Sequence, residues 1–376
     1  MVLITLLLER AILFVCTQFI LRFIPYEGFF PYREELLKYH LPKYIYSLAN
    51  FDGVHYIQIA RKGYEQYTQA YFPLYSVLIS LGGYLVHNHL LVALIIAISA
   101  SCSGLIFWSR FVERVTESKQ VSWWSVMFLL TYPTSFFFST AYTESLFFFF
   151  ISLSLLMMVN KKPVAAGLAA LFASLTRFMG IFMIIPLVFA FIQEKKIPRW
   201  KKIIAYLGPL TGTGIYIAYL WITSGDPLYF IHAQSAFGAN RSTHIILLPV
   251  VMYRYIKIFI TASHNLQYYI SVIEFVTFMF VGVVLVYDIY RLWKDRAKKH
   301  TLLLIGLSFF SLLTILIPAS SGTLSSIPRY SLLSVSFFIA LARYCRNNII
   351  KTAIAICFIL TQIILFGLFM QGYFVS

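Results

Sequence analysis

The sequence predicts an all-α fold: a polytopic helical membrane protein with a helical first external loop. Three observations carry that expectation. Of 376 residues, 60% are hydrophobic and only 12% are charged. Mean hydropathy is +0.79, and a soluble domain of that composition could not keep its surface wet. Apolar runs also recur along the chain, and about 18–20 such residues suffice to cross a hydrocarbon core of roughly 30 Å as a helix. No charge run, Ser/Gly linker or polar block marks off a soluble unit, and no internal repeat is visible. Residues 1–376 therefore read as one transmembrane domain.

The runs fall at 4–24, 90–110, 121–141, 144–160, 163–176, 178–193, 203–223, 268–290, 301–318, 331–344 and 349–370, which predicts about 11 transmembrane helices. The first carries Glu9-Arg10 early and has no small-x-small cleavage site before Pro25, so it reads as a retained span and not a signal peptide. A further run, 71–86, is short, begins at a proline and contains Gly82-Gly83. It is expected to lie in the interface or re-enter the membrane without crossing, within a first external loop spanning 25–89.

Charge sets the sidedness. With 71–86 uncrossed, the loops after the second, fourth, sixth, eighth and tenth spans share one side. They hold more than half of the chain's 30 Lys and Arg, among them Lys195, Lys196, Arg199, Lys201 and Lys202. Short loops rich in Lys and Arg stay in the cytoplasm, which places the N-terminus inside and the first loop outside. The net charge of +16 is explained by these dispersed loops, with no basic patch that points to nucleic acid. Cys16, Cys102, Cys345 and Cys357 lie in or beside apolar stretches without metal-ligand spacing and read as packing residues.

Polar residues that membrane burial should discourage collect on the outer face. They are Asp52, His55, Arg61, Lys62 and Glu65; Tyr142 and Glu144; Arg177; Asp226, His232 and Gln234; Asn240, Arg241 and His244; and Arg329 with Tyr330. Asp52 and His55 stand three apart and share a helix face. A carboxylate there can take a proton from a hydroxyl, or Asn50 or Asp52 can simply cap the helix that follows. Arg177 and Arg329 interrupt apolar segments at membrane depth. The guanidinium fork suits phosphate oxygens, and snorkelling to headgroups is the alternative. Glu144 opens an apolar helix, where an acid also complements the helix dipole.

"GPLTGTG", from Gly208 to Gly214, has the small-residue spacing of close helix packing and lacks the Lys-Ser/Thr of a phosphate-binding loop. No HExxH, CxxC or serine-nucleophile elbow occurs, which argues against an enzyme built on a soluble cofactor. The residues leave a divalent metal open, since no ligand cluster stands out.

"FDGVHYIQIARKGYEQYTQAYFPLYS", beginning at Phe51, resembles the first-loop signature of the PIG-V-like mannosyltransferases. There a W-D-x-x-H core precedes I-A-x-x-G-Y and F-F-P elements, matched here by Asp52, His55, Ile59-Ala60, Gly63-Tyr64 and Phe72-Pro73. "TYPTSFFFSTAYTESLFFF" resembles the family's N-P to Y-[ST]-E element at Tyr142 and Glu144. "LTRFMGIFMIIP" is similar to its T-R-S-N-G element at Arg177 and Gly180, and "SIPRYSLLSVSFF" to its P-R-[FY] element at Arg329. "GDPLYFIHAQSAFG", which contains Gln234, is similar to a loop of bacterial members. This chain departs at Phe51 for Trp, at Phe178-Met179 for Ser-Asn and at Tyr132 for Asn.

The resemblance implies the GT-C glycosyltransferase fold. It implies inverting transfer of a sugar, mannose by inheritance, from a polyprenyl-phosphate donor to a hydroxyl-bearing glycolipid or glycan acceptor on the outer face. Asp52 would then be the catalytic base, with His55 orienting it or touching phosphate. Arg177 and Arg329 would hold phosphate, and Tyr142, Glu144 and Gln234 complete the substrate-binding set. The rival reading is a transporter, flippase or non-catalytic subunit for lipid-linked saccharides, for which Glu9 and Glu274 lie at suitable depth, without partners in the sequence and without visible symmetry between halves.

Overall fold

A computed structural model describes residues 2–27, 33–237 and 241–375. Every regular element among them is helical. Six helices are long and apolar enough to cross a membrane: Val2–Ile20, His89–Thr116, Arg199–Ser224, Leu266–Lys294, Thr301–Ala319 and Asn348–Met370. The chain is an integral, multi-pass membrane protein. These six correspond to six of the expected runs, and the other five form shorter helices.

The shortening has local causes. The run 121–141 breaks after Lys119–Thr131 because Tyr132 precedes Pro133 and takes an extended conformation (φ −55°, ψ 141°), as a residue before proline must. A 3-10 turn, Ser135–Ser139, follows, and the Ser135 hydroxyl donates to the Leu130 carbonyl, which the break leaves without a helical partner. The helix Pro163–Thr176 ends where Arg177 becomes extended (φ −152°, ψ 145°), and a 3-10 turn, Phe178–Met183, leads into Ile184–Phe191. Helix starts are set by side-chain caps at Asn88, Ser118, Asn265 and Asn347 and by prolines at the first turns of Pro73–Val86 and Pro163–Thr176.

The first loop is helical as expected, with Arg33–Leu37, Lys43–Tyr46 and Asp52–Lys62. Pro73–Val86 has 14 residues, about 21 Å of helix, which is short of a bilayer core. One helix is unanticipated. Leu248–Thr261 buries Val251 and Tyr255 and exposes Tyr253, Ile256 and Ile260. Arg254 and Lys257 interrupt its apolar run in the sequence, which hides it from a hydropathy reading.

Two buried acids have partners that the sequence did not reveal. Glu9 accepts from Gln362 (3.0 Å) and lies 3.3 Å from Arg10 Nε. Glu274 accepts from the Tyr255 hydroxyl at 2.6 Å. Both are engaged between packed helices.

The "GPLTGTG" stretch packs as its spacing implies. Pro163–Thr176 and Arg199–Ser224 meet backbone to backbone. A Cβ on Gly208 would collide with the carbonyl of Gly167, and one on Gly212 with the Ser174 hydroxyl and the Leu171 carbonyl, whereas Gly214 faces open space. Substituting Gly208→Val should destabilise the fold by about 1–3 kcal/mol. A melting curve in detergent checks this: a clear drop is expected for Gly208→Val and none for Gly214→Ala.

Candidate active site

The site begins at the entry to helix Asp52–Lys62. Phe51, a non-glycine residue at φ 59° and ψ −116°, turns the chain sharply, a conformation that neighbouring packing must enforce. No side chain caps this helix. Asn50 instead donates from Nδ2 to the Phe369 carbonyl at 2.9 Å. The capping alternative for Asn50 and Asp52 is therefore not what the fold uses. The Asp52 carboxylate points elsewhere: Oδ2 accepts from Arg329 Nη1 at 2.7 Å and Oδ1 accepts from the Tyr71 hydroxyl at 3.1 Å.

The pair extends inward. Arg329 sits on the short helix Ile327–Ser331 and brings its Nε within 3.5 Å of Glu144 Oε1. The same oxygen accepts from Arg177 Nη1 at 2.6 Å, and Arg177 also donates to Thr143 Oγ1 at 2.9 Å. The break at Arg177 turns its side chain to this cluster, so snorkelling does not describe it or Arg329. Asp52, Arg329, Glu144 and Arg177 form a chain of alternating charge. Tyr142 braces it: its hydroxyl donates to the Asn50 carbonyl at 2.8 Å, and its ring lies 5.5 Å from the Arg329 guanidinium.

A cavity of about 810 Å³ opens over this chain. Asp52, His55, Tyr142, Arg177, Gln234 and Arg329 all line it. Glu144 does not. It is fully buried beneath the arginines, so its expected substrate contact gives way to a position behind them. The lining is two-sided: beside the charged wall run Phe178, Phe230, Ile245, Ile317 and Pro318. His55 stacks on Tyr71, with ring centroids 5.3 Å apart.

Electrostatics follow from this geometry. Burial alone would raise the Asp52 pKa. The Arg329 charge and hydrogen bond, helped by His55 and Arg241, outweigh burial and hold the carboxyl below its usual range. Burial lowers the His55 pKa, against the pull of Asp52 and Glu65, which keeps the ring neutral near pH 7.

The other polar residues expected on that face divide. Glu65, Arg241, His244 and Tyr330 also line the cavity. Asp226 and His232 instead pair with each other at 2.6 Å on an exposed loop, and Arg61 lies 3.7 Å from Glu35. Asn240 lies outside the described residues. Tyr71 and Thr143 escaped sequence reasoning, since nothing separates them from the many Tyr and Thr nearby until the fold brings them to Asp52 and Arg177. Among the described residues no group of three His, Cys, Asp or Glu side chains is placed to hold a metal.

No family model matches the sequence. A stretch of 145 residues is 30% identical to GPI mannosyltransferase 2 of Drosophila pseudoobscura pseudoobscura; it takes in 35% of this chain and 30% of that protein's length. This likeness accords with the resemblance read from the motifs. Among solved structures, ArnT from Cupriavidus metallidurans bound to undecaprenyl phosphate is similar at a TM-score of 0.48 and 13% identity, over 97% of this chain and 72% of that one. The apo oligosaccharyltransferase of Archaeoglobus fulgidus is similar at 0.45 and 12%, over 98% and 56%.

Removing one member of a buried ion-pair chain leaves an uncompensated charge at a cost of about 3–5 kcal/mol. Glu144→Gln should therefore lower the melting temperature far more than Glu65→Gln, since Glu65 is exposed and 4.0 Å from Lys62. Thermal unfolding of both variants in the same detergent checks this; equal shifts would contradict the buried placement of Glu144.

Proposed function

We propose that this chain is a membrane glycosyltransferase of the GT-C type and a relative of the PIG-V-like mannosyltransferases. In this reading it transfers a sugar, mannose by the resemblance, from a polyprenyl-phosphate donor to a hydroxyl of a glycolipid or glycan acceptor, with inversion. The N-terminus is cytoplasmic and the site external, at the plasma membrane if the chain is prokaryotic. The observation that carries the reading is the Asp52 carboxylate set in a cavity wall beside two arginines, with an apolar wall next to it.

The acceptor hydroxyl attacks the anomeric carbon and Asp52 takes its proton. The bond from the anomeric carbon to the phosphate oxygen breaks, and that oxygen leaves with the electron pair as polyprenyl phosphate. Arg177 and Arg329 offset the charge that gathers there. His55, neutral and stacked on Tyr71, helps to fix the Asp52 side of the cavity. The ion pair with Arg329 weakens Asp52 as a base. A phosphate that draws on Arg329 restores its proton affinity, so base strength follows donor binding. A transporter reading gains nothing from Glu9 and Glu274, whose carboxylates are engaged between helices.

The test is sugar transfer from radiolabelled polyprenyl-phosphate-mannose to endogenous lipid in membranes, comparing wild type with Asp52→Asn at matched expression. A loss of about 10²–10⁴-fold is expected for removal of a general base, and equal transfer in the two would sink the assignment. The acid limb should also be displaced. A base is active when deprotonated, and a depressed pKa keeps Asp52 deprotonated as pH falls from neutrality to about 5, with loss only below the ordinary aspartate range near 3.9. A profile of kcat/KM that fell with a midpoint near pH 6 would contradict this.

A further inference from the structure

Three arginines line the cavity, and they are not equivalent. Arg177 and Arg329 already face carboxylates, at 2.6 Å and 2.7 Å. The two arginines and the two acids, Glu144 and Asp52, balance one another. Arg241 instead donates to neutral oxygens, Gln234 Oε1 at 3.1 Å and Ser326 Oγ at 3.4 Å. Among the described residues no ion pair engages it. Arg241 is thus the cavity arginine whose charge no carboxylate within ion-pair distance offsets among the described residues, and its bonds are long enough to be exchanged for charge-assisted ones.

The neighbouring groups suit an oxyanion. Ser326 Oγ accepts from Arg241, and Ser242 Oγ accepts from the His244 backbone N–H at 3.0 Å. A hydroxyl that accepts still has its own proton to donate. Both serines line the cavity with Arg241. The same two segments continue into apolar lining, at Ile245 after Ser242 and at Ile317 and Pro318 before the serines.

We infer that Arg241, with Ser242 and Ser326, forms the phosphate-docking subsite of the cavity, for a phosphate carried on an apolar chain. This rests on the proposed donor class and deepens it. Phosphate docks on the arginine that has no carboxylate, while Arg329 stays with Asp52 until the phosphate reaches it. Arg241 is then a binding residue whose loss falls on donor affinity.

The experiment measures binding to the purified full-length chain in detergent, by quenching of tryptophan fluorescence, for wild type, Arg241→Ala and Arg241→Lys. The probes are polyprenyl phosphate, the matching polyprenol and inorganic phosphate, and a melting curve accompanies each variant. Wild type should bind polyprenyl phosphate more tightly than either other probe. Arg241→Ala should weaken that binding about tenfold or more, the worth of a charge-assisted contact, with Arg241→Lys between them and polyprenol binding unchanged. In transfer assays Arg241→Ala should raise KM for the donor and leave KM for the acceptor alone. If wild type binds the lipid phosphate and Arg241→Ala matches it at an unchanged melting temperature, the subsite is overturned and the proposed function stands. If inorganic phosphate binds through Arg241 and polyprenyl phosphate does not, the anion subsite stands and both the lipid-borne ligand and the donor class are overturned.

Discussion

The structure depends on one buried electrostatic chain, Asp52–Arg329–Glu144–Arg177. Its members come from the first loop, the start of an apolar helix, the end of another and a short late helix, with Asp52 and Arg329 separated by 277 positions. Charges withdrawn from water are tolerated only when paired and hydrogen-bonded. That requirement accounts for features that would otherwise be defects in a membrane protein. Pro163–Thr176 stops at Arg177, whose guanidinium meets Glu144 at 2.6 Å. Phe51 turns the chain at a positive φ immediately before Asp52, which meets Arg329 at 2.7 Å. Tyr142, between Asn50 and the arginine, holds the first loop against this core.

A second layer holds Arg329 in place from the other side. The Ser320–Ser326 loop feeds directly into its helix, and Leu248–Thr261 braces that loop. Arg254 donates to the Gly322 carbonyl at 2.9 Å, and the Tyr255 hydroxyl accepts from the Leu324 N–H at 3.0 Å while donating to Glu274. Gly322 adopts φ +97°, and a side chain there would meet the Arg254 guanidinium. Glu274 at membrane depth is thus explained as an anchor for this brace.

Hydropathy and chain punctuation were enough to read the helical membrane architecture, the helical first loop, the close approach at Gly208 and Gly212, and the interruptions at Arg177 and Arg329. These features are local, and each leaves its mark within a few residues. Pairing is not local. Glu9 and Glu274 looked isolated because their partners, Gln362 and Tyr255, lie on other helices. Glu144 looked like a cavity residue because its burial beneath the arginines is a property of packing. Leu248–Thr261 was missed because its cationic residues, one of which is spent on a loop carbonyl, break the apolar run. Arg241 stood among the polar residues legible in the sequence, but its standing apart from the other arginines becomes clear only once their carboxylates are located.

The two acids that share Arg329 differ in burial, and the difference assigns them separate work. Glu144 has a side chain 0% exposed and contacts both arginines, whereas the Asp52 side chain is 24% exposed and opens to the cavity. Coulombic attraction strengthens as water is excluded, so an anion entering the cavity competes poorly with Glu144 and much better with Asp52. Arg329 can turn part of its charge toward a newcomer while Glu144 holds it in place. The carboxylate left behind is the one beside the cavity, with Tyr71 still donating to it at 3.1 Å and with a rising affinity for a proton. Burial on one side of the arginine and access on the other make it both a fixed part of the fold and an adjustable partner of Asp52.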